Sequence, residues 1–169
     1  AGGSYGVYAG YELYENVARP GSEENIDNEK YEYKVRDWAG AEAAGDSLAP
    51  YLTLLNSIRR AHPALRQLRG LRLHHSEDDG ILVFSKHVPA AVTEDGVADT
   101  IIVVINVDPH SVRQTMLHLD TREWGIAPGE PYQVQDLISG AEWTWTDDVF
   151  VRLDAFDEPA HIVHVRGNR

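Results

Sequence analysis

The feature that most constrains the fold is a run of short strand-like segments that begins at Leu71 and continues to the carboxyl end. The segments are 71–76, 81–88, 100–107, 112–119, 131–137, 142–145, 149–153 and 160–165. Turn signals separate most of them: Asp78-Asp79-Gly80, Glu94-Asp95-Gly96, Asp108-Pro109, Pro128-Gly129, Ser139-Gly140 and Asp147-Asp148. Many short strands at such spacing imply an antiparallel β-sandwich. The chain is therefore read as mainly β, with a boundary near residue 68. Residues 69–169 are expected to form a complete β domain. Residues 1–68 are expected to be the tail of another domain, contributing one strand, one long connection and one helix.

The expected strand runs from Ser4 to Leu13 and places Tyr5, Val7, Ala9 and Tyr11 on one face. Gly6 and Gly10 would permit close approach of other backbone. Glu12 and Glu15 follow at its carboxyl end, and residues 14–46 show no sustained period. Pro20-Gly21 marks a turn. The helix comes next. Ser47 or Asp46 can cap it, and Pro50 is tolerated in the first turn. Leu48, Tyr51, Leu52, Leu55 and Ile58 recur at spacings of mostly three and four, which builds one apolar stripe. Arg59, Arg60 and His62 occupy the last turn, where cations favour the helix dipole, and Pro63 is expected to end it.

Composition narrows the functional classes. A chain of 169 residues, 43% hydrophobic and 25% charged, is long enough for one good core or two small ones and reads as a soluble globular protein. A formal net charge of -12 argues against a nucleic-acid backbone or an anionic membrane surface as partner. Cysteine is absent, which removes disulfides and thiolate metal sites and fits a cytoplasmic location. The longest aliphatic run, Ile101 to Ile105, is far too short to span a bilayer. The opening "AGGSYGVYAGYEL" has no basic end and no cleavage pattern, so it is not expected to be a signal peptide. It enters a structured-looking segment without preamble, as the middle of something larger would.

Few residues carry obvious chemistry. His74 and His75 are adjacent in an expected strand and point to opposite faces; His161 and His164, three apart, have the same problem. No metal site and no cofactor are expected. No nucleophile motif and no Gly-rich phosphate loop are present, and Glu23-Glu24 and Asp147-Asp148 read as solvated acidic surface. Trp143 and Trp145 could stack on sugar rings, but core packing is favoured for at least one of them. The segment "NIDNEKYEYKVRDW", Asn25 to Trp38, stands apart. It holds nine charged or amide side chains and three aromatics in fourteen residues, with no glycine or proline. A plain linker would be richer in Gly, Ser and Pro, and long connections inside compact domains are often functional. Lys30 and Tyr31 place an ammonium beside a phenol, flanked by Glu29 and Glu32. Such donors suit a hydroxyl-rich ligand. A solvated loop clipped by ion pairs explains the same residues equally well.

A resemblance bears on that choice. "YGVYAGYEL", the long polar connection and "LLNSIRRAHPALRQL" resemble the eighth strand, its loop and the eighth helix of an α-amylase-superfamily (β/α)8 barrel. The tail with "VQDLISGAEWTW" resembles the sandwich domain that follows the barrel. Within the superfamily, Gly21-Ser22-Glu23-Glu24, Asn28-Glu29-Lys30-Tyr31-Glu32 and Arg36-Asp37 are similar to a pattern of the alpha-1,4-glucan:maltose-1-phosphate maltosyltransferases. Asn28 stands where that pattern has serine. The resemblance implies an enzyme that moves maltosyl units from α-maltose 1-phosphate to α-1,4-glucans with retention, through an aspartate nucleophile and a glutamate acid/base. It implies no cofactor, a homodimer, and Lys30 and Tyr31 as substrate-binding residues for the maltosyl moiety. No catalytic carboxylate motif of the superfamily is found in this chain, so it is expected to be the inactive carboxyl-terminal part of such an enzyme. A free-standing β-sandwich for carbohydrate binding or assembly is the alternative.

Overall fold

Residues 101–105 are aliphatic without a break because both of their faces are covered. They lie in the fourth of nine strands that the computed structural model contains among the residues it describes, 6–24 and 33–167. In chain order these are Leu71–Leu73 (β1), His75–Ser76 (β2), Ile81–Val88 (β3), Asp99–Asn106 (β4) and Arg113–His118 (β5). Tyr132–Asp136 (β6), Glu142–Trp145 (β7), Asp148–Leu153 (β8) and Ala160–Val165 (β9) follow. The α-helices are Trp38–Ala44 (α1), Ala49–Ala61 (α2) and Pro63–Arg66 (α3). The chain divides into two compact units between Ser57 and Ile58, and all nine strands belong to the second.

The strands form two sheets, one of six in the order β1-β3-β4-β9-β6-β7 and one of three in the order β2-β5-β8. Every pairing is antiparallel. Alternate residues of β3 to β9 point to one shared core. Val83, Ile102, Val104, Val134 and Val163 come from the larger sheet; Leu117, Val149, Val151 and Leu153 come from the smaller. This inward-facing set follows the period of two of a strand. The other face of the larger sheet buries Ile101, Val103 and Val88 under Ala64 of α3, with Leu65, Phe84 and Ile162 beside them. Lys86 is also buried, and its ammonium donates to the carbonyls of Gln67 and Arg69 just beyond α3. The mainly β, antiparallel character expected from the sequence is therefore present.

Three expectations are corrected. The strand over Ser4 to Leu13 is not formed in the described residues 6–13. Gly10 is left-handed, a 3-10 turn spans Tyr11–Leu13, and the N–H groups of Leu13 and Glu15 both donate to the Gly10 carbonyl. A strand needs a neighbour to take its backbone groups, and no other strand lies in described residues 6–57, so the backbone satisfies itself locally. The single strand expected over 71–76 is two, broken at His74, because β1 pairs with β3 while β2 pairs with β5 of the other sheet. Pro63 does end α2, as expected, but it also opens α3 at a position where its missing N–H costs nothing. Helix α1 lies in the stretch read as aperiodic. Its signals were an Asp37 cap, whose carboxylate accepts from the Gly40 N–H at 2.9 Å, and a left-handed Gly45 at the far end.

Candidate functional site

The long polar connection is closed at its base by charge. Glu15 lies before the Asn25–Trp38 segment and Arg36 near its carboxyl end. Arg36 Nε and Nη2 donate to Glu15 Oε1 and Oε2 at 2.8 and 3.0 Å, a two-pronged pair that fixes direction as well as distance. Lys34 Nζ lies 3.0 Å from Glu15 Oε1. Arg36 is only 8% exposed. These bonds, Arg36 first and Lys34 after it, outweigh desolvation and hold the Glu15 carboxyl down at about 2. One turn earlier, Trp38 Nε1 donates to Glu12 Oε1 at 2.6 Å, while Glu12 Oε2 accepts from the Gly10 N–H. Gly10 is required here: with φ +98, a β-carbon would lie 2.2 Å from Glu15 Oε2. The close approach that glycine permits is thus by a carboxylate, not by backbone. Lys30 and Tyr31, together with Glu29 and Glu32, lie outside the described residues.

The sequence displays Glu15 and Arg36 without showing that they pair. A separation of 21 residues gives no local cue to this pair.

The second unit gathers further polar groups. Trp145 is in the core and Trp143 packs against it, ring on ring at 6.0 Å and 12°, so the core reading holds for Trp145. Trp143, Thr144, Arg152, Glu158 and His161 line an open groove of about 500 Å³. Asp136, whose Oδ2 lies 3.6 Å from His161 Nδ1, is fully buried. Its Oδ2 accepts from the Ser139 N–H and hydroxyl at 3.0 and 2.6 Å, and its Oδ1 from the Ile162 N–H at 3.0 Å. Burial alone would raise this carboxyl, but the nearby His161 and these donors outweigh it and hold it at about 2. His164 belongs to a different cluster, in which His62 Nδ1 and His164 Nε2 face Asp99 Oδ1 at 3.0 and 3.4 Å. As the sequence predicts, His161 and His164 share nothing. His74 and His75 are likewise separated: His74 bridges Ser85 and Asp120, and His75 stacks on His118.

Comparison with known proteins places these features in a family. A family model described as "GLGE, C-terminal" matches residues 73–165. The chain is 48% identical over 163 residues to the alpha-1,4-glucan:maltose-1-phosphate maltosyltransferase of Bifidobacterium longum, covering 96% of this chain and 22% of the relative. It is 45% identical to the protein of that name from Corynebacterium glutamicum over 94% of the chain and 23% of the relative. The corresponding values for Mycobacterium tuberculosis are 39%, 96% and 22%. The chain thus spans less than a quarter of the length of these curated relatives.

Proposed function

The chain belongs to the family described as GLGE, C-terminal, and on that premise we propose that it works as the carboxyl-terminal part of a maltosyltransferase acting on α-maltose 1-phosphate and α-1,4-glucans. Residues 1–68 are assigned to the end of the catalytic (β/α)8 barrel and residues 69–169 to a β-sandwich domain behind it. The observation that carries this reading is similarity along nearly the whole chain to relatives more than four times as long. Two sheets sharing one core support the sandwich assignment. In this reading the two reacting carboxylates come from other parts of the whole protein, and residues 1–169 alone release no phosphate from the donor. The whole enzyme is a cytoplasmic homodimer that needs no cofactor.

Lys30 and Tyr31 are assigned to the maltosyl moiety of the donor. The Glu15–Arg36 pair supports that assignment, because it fixes both ends of the connection that carries them. An ammonium donating to a sugar hydroxyl makes a charge-assisted bond, about 1.5–3 kcal/mol, against about 0.5–1.5 for a neutral phenol. Each 1.4 kcal/mol or so is tenfold in kcat/KM. In the full-length enzyme, Lys30→Ala is therefore expected to lower kcat/KM for maltose 1-phosphate by roughly ten- to a hundredfold, and Tyr31→Phe by about tenfold at most. The melting temperature should stay put in both. Unchanged kinetics in Lys30→Ala would remove this residue from the site and favour the loop clipped by ion pairs.

A further inference from the structure

We propose that Asp136, Glu158 and His161 form a binding site for a divalent transition-metal ion of the zinc or cobalt class, a property separate from the transfer reaction and from Lys30 and Tyr31. The starting point is one nitrogen. His161 is 6% exposed, and its Nδ1 is buried without a hydrogen-bond partner among the described residues. A buried polar atom left unpaired is costly, and native folds supply a partner to the large majority of them. Nδ1 faces two carboxylates, Asp136 Oδ2 at 3.6 Å and Glu158 Oε1 at 3.5 Å. Both separations are too long for hydrogen bonds. Both are close to the roughly 3.4 Å that separates two ligands of a tetrahedral ion held at 2.0–2.1 Å. The three donor atoms lie within 4.8 Å of one another.

The donor set selects the ion. Magnesium and calcium prefer oxygen-only shells, whereas an imidazole nitrogen with two carboxylates suits zinc and its first-row neighbours. The surrounding groups hold the ligands in place, as outer-shell partners do in metal sites. Asp136 Oδ1 is pinned by the Ile162 N–H and Oδ2 by the Ser139 N–H. The Ser139 hydroxyl also bonds Oδ2, and being a free rotor it can turn away to release a lone pair. Trp143 meets the His161 ring edge-on at 5.4 Å and 67°, which fixes its orientation. An entry path exists, because Glu158 and His161 line the groove and the Glu158 side chain is 41% exposed. The cluster of His62, Asp99 and His164 differs on the point that matters. There His62 Nδ1 is hydrogen-bonded to Asp99 Oδ1, and no unpartnered buried nitrogen remains among these three. It serves as an internal control. The proposal departs from the sequence expectation that no histidine here holds a metal.

The test is a titration of the 169-residue chain with Co²⁺, read by its visible absorption, with Zn²⁺ as competitor and thermal melting alongside. One equivalent should bind with a Kd in the micromolar range or below, Zn²⁺ should displace it, and Zn²⁺ should raise the melting temperature until a chelator removes it. Glu158→Gln changes an exposed loop side chain and keeps the fold; it should weaken binding at least tenfold. His161→Gln should abolish the absorption band, and His164→Gln should leave it untouched. Absence of binding up to millimolar Co²⁺ overturns the proposal. So does binding that persists unchanged in Glu158→Gln, or that disappears in His164→Gln.

Discussion

Arg36 meets Glu15 across the ends of a connection that spans twenty residues, with its guanidinium almost wholly enclosed. A lysine could not reproduce both bonds, since it is a point charge and not a planar fork. Because the Glu15 carboxyl is depressed below its ordinary 4.5, its pairing stabilises the fold fully above that value. The contribution fades as the pH falls through about 2. In Arg36→Gln the Glu15 carboxyl should titrate well above about 2, read from its carboxyl carbon shift by NMR. The variant should also lose about 1.5–3 kcal/mol of stability. A midpoint that stays near 2 would instead give the leading role to Lys34.

At the scale of elements, the corner between β1 and β2 depends on one ring. His74 donates its backbone N–H to the Val83 carbonyl at 3.1 Å, keeping the chain on the larger sheet just before it crosses to the smaller. Its Nδ1 accepts the Asp120 N–H at 3.1 Å and its Nε2 meets Ser85 Oγ at 2.8 Å. A nitrogen that accepts carries no proton, so the neutral ring must hold its hydrogen on Nε2 and donate it to Ser85. Burial lowers the His74 pKa, and the Arg72 charge adds to this; Asp120 and Glu123 oppose it. Stability is therefore complete above about 6.5, the unfolded value, and declines as the pH falls below it toward the folded pKa. His118 moves the other way, raised by its bonds to Asp148 and then Glu77, with His75 stacked against it. Its contribution is present at low pH and is lost as the pH rises through the elevated folded pKa. An NMR titration should give a midpoint below 6.5 for His74 and above it for His118, with the Nε2–H form of His74 at pH 7. A protonated His74 at pH 6.5, or equal midpoints, would break this account of the corner.

For the molecule as a whole, the decisive question is what the β unit needs in order to fold by itself. Helix α3 covers Ile101 and Val103 through Ala64, and the segment just after it, Gln67 and Arg69, supplies both acceptors of Lys86. A chain of residues 58–169 should therefore unfold cooperatively in urea. A chain of residues 70–169 exposes part of that apolar face and strands the Lys86 ammonium. Each buried aliphatic side chain is worth about 1.5–3 kcal/mol and each charged bond a similar amount, so the shorter chain should be less stable by at least about 3 kcal/mol. Equal urea midpoints would show that α3 is an ornament on the sheet. None of the described helices is long and apolar enough to cross a membrane.

Local patterns carried much of this protein. Strand-like segments and the turn residues between them located eight strand segments, seven of them within a residue or so of their positions, and the apolar stripe with Ser47 located α2, where Ser47 Oγ accepts the Ala49 N–H. These features depend on neighbours a few residues away, which a sequence displays directly. The proposed role of Lys30 and Tyr31 rests on resemblance, because a loop side chain announces no ligand by itself, and both lie outside the described residues. What the tertiary structure alone decided is long-range. It split one strand between two sheets at His74, folded residues 11–13 into a 3-10 turn where no strand was at hand to pair, joined Glu15 to Arg36, and brought His161 against Asp136 and Glu158. Each outcome depends on which distant segment arrives at a given place, and that is set by competition among all possible pairings and not by the residues on either side.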